Sequence, residues 1–138
     1  MTITTTTKEE TPIIKEQDVV PFRNRVKEFG QAAGMSILNQ TKLITAASEL
    51  VRNLLKYGGG GKVIIEAVSN GRDSGVRLTF ADKGPGIADV SLAMKDGYST
   101  GKSLGLGLPG TKRLVNDFDI QSELGKGTTV TITKWKNG

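Results

Sequence analysis

Residues 39–68 read NQTKLITAASELVRNLLKYGGGGKVIIEAV, and this stretch decides the architecture. Leu43, Ile44, Ala47, Leu50, Val51, Leu54 and Leu55 recur at helical spacing, so the spacing predicts a helix over about 39–57. Thr45, Glu49, Arg52, Asn53 and Lys56 fall on its other face. Four glycines, Gly58 to Gly61, end the helix abruptly, because glycine tolerates conformations that a helix cannot continue. Strand-like runs follow at 63–68 and 76–81, with Asn70-Gly71 and Ser74-Gly75 marking the turn between them.

Outward from this block, residues 1–11 are Thr-rich and polar and read as a flexible tail. Residues 12–16 suit an edge strand. Asp18 is placed to cap a helix carrying Val19, Val20, Phe22, Val26 and Phe29, which Gly30 and Gly34 would end. Downstream, a short helix is expected over 90–94, a polar, glycine-punctuated lid over 95–104, and a helix over about 106–116. Strands are expected near 119–122 and 128–135, joined by Gly125-Lys126-Gly127. No internal repeat and no second core is visible. The expectation is one domain over 12–138, an α/β two-layer sandwich whose mixed, mostly antiparallel sheet carries helices on one face.

The composition excludes several chemistries. The chain has 138 residues, enough for one core, and its 36% hydrophobic and 24% charged content is that of a globular protein. It contains neither cysteine nor histidine, which removes disulfides, thiolate and imidazole metal sites, Ser-His catalysis and autophosphorylation on histidine. Proton transfer must fall to Asp, Glu, Lys or Tyr. No apolar run approaches the roughly 20 residues of a membrane span, and the N-terminal residues lack a secretory pattern. A cytoplasmic setting without a membrane partner fits. The net charge is +5, but the basic residues are scattered and aromatics make up only 5%, which argues against nucleic acid as a partner. A positive field serves a polyphosphate or an acidic protein equally well.

Three segments carry candidate chemistry. Glu49 and Asn53 stand four apart on one helix and offer hard oxygens that suit Mg²⁺; a solvated polar face would look the same. In Asp82-Lys83-Gly84-Pro85-Gly86 a carboxylate ends an apolar strand, ready to accept from an amino group, while the glycines let backbone approach a flat ring. A simple tight turn uses the same residues. In Gly101-Lys102-Ser103-Leu104-Gly105-Leu106-Gly107-Leu108-Pro109-Gly110, glycines before a helix expose N–H groups that can cradle phosphate. The order of residues is not that of a Walker A loop, and no strand directly precedes the glycines as a dinucleotide fingerprint requires.

Taken in order, the three segments resemble the N box and the two glycine boxes of the GHKL (histidine-kinase/Hsp90-like) ATPases, whose fold is the Bergerat sandwich. Gly125-Lys126-Gly127-Thr128 resembles the last box of that family. The likeness covers about residues 12–136. It narrows at Glu49 to Asn53, Lys56-Tyr57-Gly58, Asp96 to Thr100, Gly107 to Leu114 and Lys134-Trp135, which are similar to the anti-sigma-factor serine kinases, and among them to the stressosome switch kinases. The four-glycine run and the short lid depart from the pattern. A short lid would leave a γ-phosphate open to another protein's serine.

The resemblance implies an Mg-ATP-dependent protein-serine kinase. Its substrates would be STAS-domain proteins, and its released form would activate a PP2C-type phosphatase. It implies Glu49 as the general base and Asn53 as the Mg²⁺ ligand bridging to the phosphates. Asp82 would hold the adenine amino group, with Gly84, Gly86 and Thr128 assisting. Gly105, Leu106, Gly107 and Leu108 would bind phosphates through their backbone, and Lys102 would neutralise the transferred phosphoryl group. Two further readings stay open: an anti-sigma-factor kinase that binds a sigma factor directly, and a nucleotide-dependent binding module that transfers nothing.

Overall fold

A computed structural model describes residues 2–87 and 107–138. In chain order the elements are β1 (Thr4–Ile13), α1 (Val19–Ala32), α2 (Ile37–Lys56), β2 (Gly61–Ser69), β3 (Ser74–Asp82), α3 (Leu108–Leu114), β4 (Asp117–Glu123) and β5 (Gly127–Trp135). The strands form one sheet in the order β1-β2-β3-β5-β4, and every pairing among them is antiparallel.

Alternation along the strands sets the two faces of the sheet. Register places Ile65, Leu78 and Ile132 side by side, and Val63, Phe80 and Val130 in the next row. These rows are buried against the helices. Helix α1 contributes Phe22, Val26 and Phe29; α2 contributes Leu43, Ala46, Ala47, Leu50, Val51 and Leu54. Phe22 meets Phe80 edge to face, with centroids 5.9 Å apart, and so pins α1 to the middle strand. Full burial of such a side chain is worth about 1.5–3 kcal/mol. The opposite sheet face is polar. There Glu66 pairs with Arg77 at 3.1 Å and accepts from Thr5 at 2.8 Å, and the Arg77 contact holds the Glu66 carboxyl below the usual glutamate range.

The N-terminal expectation needs correction. The Thr-rich segment is not a tail from Thr4 onward: it forms the edge strand β1, paired with β2 from Thr4↔Ser69 to Ile13↔Gly61. Threonine suits a pleated, half-exposed strand, and β2 otherwise presents an unpaired edge. Helix α1 ties this edge down, because Arg25 bonds Glu9 and Glu28. Asp18 also differs from expectation. It caps no helical N–H; its carboxylate instead reaches back to the N–H groups of Ile14 and Lys15, at 2.9 and 3.1 Å.

Helix α2 begins two residues earlier than expected, at Ile37, because Ser36 supplies the cap and accepts from the N–H of Asn39 at 3.1 Å. It ends at Lys56, and Gly59 and Gly60, at φ of +73° and +97°, turn the chain into β2. Its C-terminal half therefore lies beside the ends of β3 and β5. No helix among the described residues is long and apolar enough to cross a membrane.

Candidate functional site

Where α2, β3 and β5 converge, a cavity of about 200 Å³ opens. Leu50 and Leu54 of α2, Phe80 of β3, Ile120 of β4 and Val130 of β5 give it apolar walls. Asn53, Asp82 and Thr128 supply polar groups. Pockets that enclose a whole drug-sized ligand run to roughly 300–1,000 Å³. The smaller volume suits one planar base with its polar remainder reaching outward.

Asp82 closes β3, and its two carboxylate oxygens differ. Oδ1 accepts from the N–H of Gly84 at 2.8 Å and of Thr128 at 3.3 Å. Oδ2 takes no hydrogen bond among the described residues and lies against Gly58, where a Cβ would come within 2.6 Å of it. The protein thus fixes one oxygen with backbone donors and keeps the other as an acceptor on the pocket wall. A carboxylate of this kind can receive an exocyclic amino group.

Glycines let the backbone segments around Asp82 touch. A Cβ on Gly84 would stand 2.9 Å from Gly58, and one on Gly127 would stand 2.3 Å from the Asp82 carbonyl oxygen. Gly86 adopts φ of +76°, and a Cβ there would meet the Glu123 carbonyl at 2.2 Å. Its need for glycine therefore comes from docking the loop on the β4–β5 turn, where the Gly125 N–H also bonds the Pro85 carbonyl at 2.7 Å. Gly86 does line the cavity as well.

Ser122, which sequence reading missed, clamps the same junction. Its hydroxyl accepts from the Ile87 N–H at 2.7 Å, bonds the Gly127 carbonyl at 3.1 Å and pairs with the Thr128 hydroxyl at 2.7 Å. Gly58, which the sequence marks as a helix stop and as part of the Lys56-Tyr57-Gly58 likeness but not as a site residue, meets both Asp82 and Gly84. The signals were faint: Ser122 faces Thr128 in the β4–β5 register, and Gly58 opens the glycine run.

The second half of the expected site divides. Asn53 lines the cavity beside Leu50 and Leu108. Glu49, one turn earlier, does not; it packs on Gly107, where a Cβ would fall 2.3 Å from its Cγ, and its Oε1 takes the Arg52 guanidinium at 3.0 Å. Gly107 and Leu108 open α3, and Leu108 is buried in the core. Lys102, Gly105 and Leu106 lie outside the described residues, as do the expected short helix over 90–94 and the lid over 95–104.

These residues fit a nucleotide. An apolar slot and a carboxylate acceptor, held in place by the close backbone packing that Gly58 and Gly84 permit, are what a planar base requires. Among the described residues no group of three or more His, Cys, Asp or Glu could hold a metal by itself. The Asn53 carboxamide oxygen fits Mg²⁺, which ordinarily keeps several waters and takes substrate phosphates.

Comparison with known proteins gives the lineage. Residues 38–137 match the model of the histidine kinase-, DNA gyrase B- and HSP90-like ATPases. The chain belongs to this ATPase family. It is 39% identical over 123 residues to the serine/threonine-protein kinase RsbT of Bacillus subtilis, a match spanning 89% of this chain and 92% of RsbT. It is 33% identical over 102 residues to the anti-sigma F factor of a Geobacillus species, covering 69% of this chain and 68% of that protein. Among solved structures, it is similar to the RsbU and RsbW domains of a Mycobacterium tuberculosis protein, with a TM-score of 0.64 at 21% identity. That alignment covers 94% of this chain and 32% of the other, and it shows the fold. The α/β sandwich expected of a GHKL ATPase is the one the chain adopts.

Proposed function

We propose that the chain is an Mg-ATP-dependent protein-serine kinase that also acts as a partner switch. The arrangement at Asp82 carries the nucleotide half of this reading: Oδ1 is held by two backbone N–H groups and Oδ2 is left as an acceptor on an apolar slot. The likeness to RsbT over nearly its whole length supports the kinase half.

In this reading Asp82 would orient the adenine, Gly58 and Gly84 let the backbone close around Asp82, and Asn53 would hold Mg²⁺ for the phosphates. Gly107 and Leu108 would serve the phosphates through their backbone, and the family resemblance assigns Gly105, Leu106 and Lys102 to the same task. The serine oxygen of the partner forms a bond to the γ-phosphorus, the bond from that phosphorus to the bridging oxygen of ADP breaks, and the serine proton passes to the Glu49 carboxylate. Mg²⁺ supplies charge neutralisation on the phosphate oxygens. The protein contributes positioning and electrostatics, which dominate phosphoryl transfer.

The partners proposed are STAS-domain proteins of a stressosome-like complex, with release of the kinase activating a PP2C-type phosphatase. The likeness to anti-sigma F factors favours one second reading, direct capture of a sigma factor by the same domain. The deciding experiment incubates the chain with Mg²⁺, γ-labelled ATP and a STAS-domain protein from the same organism. Label on a partner serine is expected. Tight ADP binding without transfer would reduce the protein to a nucleotide-dependent binding module.

A further inference from the structure

Helices α1 and α2 leave a groove of about 580 Å³ between them. Val20, Arg23 and Lys27 line it from α1, and Ile37, Thr41 and Ile44 from α2. The groove shares no lining residue with the Asp82 cavity. The residues that flank 88–106 also lie elsewhere. Ile87 lines the Asp82 cavity, and Gly107 packs on Glu49, which stands about 140° around α2 from Ile44.

We propose that this groove docks the downstream effector, taking a helix that carries carboxylates between apolar side chains. The proposal rests on the partner-switch half of the reading given above. Two features of the groove do nothing for the fold of the chain itself. Val20 and Ile37 are 60% and 81% exposed, and both are β-branched, a poor choice for helix surfaces unless something covers them. Arg23 and Lys27 stand four apart on α1, where like charges oppose the helix. Among the described residues neither has an ion pair or hydrogen bond, whereas Arg25 between them is paired with Glu9 and Glu28. No acid lines the groove. Apolar contacts beside two unneutralised cations complement an acidic amphipathic helix, laid in the groove as helix-binding surfaces commonly receive one. A second copy of the chain would set the same cations against each other, and a bilayer would meet a concave, largely polar surface. The place of the groove selects the effector over the substrate. A phosphoryl acceptor must bring its hydroxyl to the nucleotide, but an effector that receives no phosphate can bind on another face.

The test measures binding of the full chain to the full-length PP2C-type phosphatase from the same organism by titration calorimetry. The double variant Arg23→Glu/Lys27→Glu reverses the charge of the groove with residues that favour a helix. Ile37→Asp removes its most exposed apolar side chain at the first position of α2, where the helix dipole favours a carboxylate, so the fold should hold in both. Each should weaken phosphatase binding by about tenfold or more. Salt should weaken binding of the wild-type chain more steeply than that of the double variant. ADP affinity, the thermal midpoint and KM for a STAS-domain protein should stay at wild-type values. Equal phosphatase affinity in wild type and both variants would overturn the groove assignment and leave the partner-switch reading standing. If the variants instead raised only the KM for the STAS-domain protein, the groove would belong to the substrate and the proposal would fail. It would fail equally if they abolished only self-association in sedimentation, or only binding to phosphatidylglycerol–phosphatidylcholine vesicles. No phosphatase binding by the unmutated chain, with serine transfer intact, would overturn the effector part of the reading and the groove assignment with it.

Discussion

Asp82→Asn isolates one oxygen atom. In the folded protein Oδ1 accepts two backbone N–H groups, at 2.8 and 3.3 Å, and Oδ2 stands on the cavity wall beside Gly58. An asparagine keeps its carbonyl oxygen where the two donors point, because the reverse orientation would set an amide N–H₂ against two N–H groups. The N–H₂ then occupies the Oδ2 position, and an acceptor for the base becomes a donor. Loss of a charge-assisted hydrogen bond, with donor now facing donor, costs about 1–3 kcal/mol. That corresponds to about 5- to 150-fold in Kd for ADP. The thermal midpoint should barely move, since both backbone donors remain paired. Asp82→Ala is the control: it orphans both donors and should lower stability as well as affinity, by about 1–3 kcal/mol for each buried group left unpaired. Titration calorimetry for ADP, with a melting curve on each variant, separates the two effects. Equal ADP affinity in wild type and Asp82→Asn would refute Asp82 as the base-recognising acceptor.

Other perturbations test neighbouring parts of the same account. Gly58→Ala should weaken ADP binding, because the new Cβ would sit 2.6 Å from the Asp82 carboxylate and 2.7 Å from the Leu54 carbonyl; unchanged calorimetric affinity would mean that the wall yields freely. Glu49→Gln should lower phosphoryl transfer by about 10²–10⁴-fold with ADP affinity preserved, whereas Asn53→Ala should damage Mg-ATP binding itself. A wild-type transfer rate in Glu49→Gln would remove Glu49 as the base. Leu43→Ala, at a fully buried core position, should cost about 2–5 kcal/mol in urea denaturation. The Glu66 carboxyl is held below its usual range, first by its hydrogen bond from Arg77. Its contribution to stability is therefore complete above the ordinary glutamate pKa and lost as pH falls through the lowered folded-state value. Glu66→Gln should flatten the acid limb of a stability–pH curve, and an unaltered limb would speak against that ion pair.

How far the sequence was legible depended on the range of the interactions involved. Helix α2 could be read because its apolar stripe is a local pattern, repeated over five turns and ended by glycines. The β2–β3 hairpin could be read for the same reason. Strand β1 could not: residues 4–7 are all exposed or lack an apolar face, so no alternation announces a strand, and what makes them one is the free edge of β2, about sixty residues on. Asp18 looked like a helix cap, but the tight turn at Glu16–Asp18 brought the Ile14 and Lys15 N–H groups within its reach first. Ser122 and Gly58 escaped because their partners, Ile87 and Asp82, are distant in sequence and meet only after the β4–β5 turn docks on the loop following β3.

The division between Glu49 and Asn53 shows the same limit at finer scale. Helical spacing puts the two on one face, since four residues exceed a full turn by only about 40° while advancing about 6 Å along the axis. Sequence alone therefore suggests that they act together on one ligand. What each side chain meets depends on what packs against α2 between them, and that is the first turn of α3. Leu108 is driven into the core by its apolar side chain and comes to lie next to Asn53 at the cavity. Gly107, one residue earlier, lacks a side chain and so lets the Glu49 stem close onto it. A small rotational offset on one helix and a glycine–leucine step on another suffice to set Asn53 on the cavity and to pack Glu49 on Gly107. In the kinase reading both side chains must still serve one reacting centre, because the serine oxygen and the γ-phosphorus have to come within about 3–3.5 Å of each other. An alanine at 107 would push against the Glu49 Cγ and tilt that carboxylate away. Gly107→Ala should therefore lower phosphoryl transfer more than it lowers ADP affinity, and equal losses in both would mean that Gly107 does not act through Glu49.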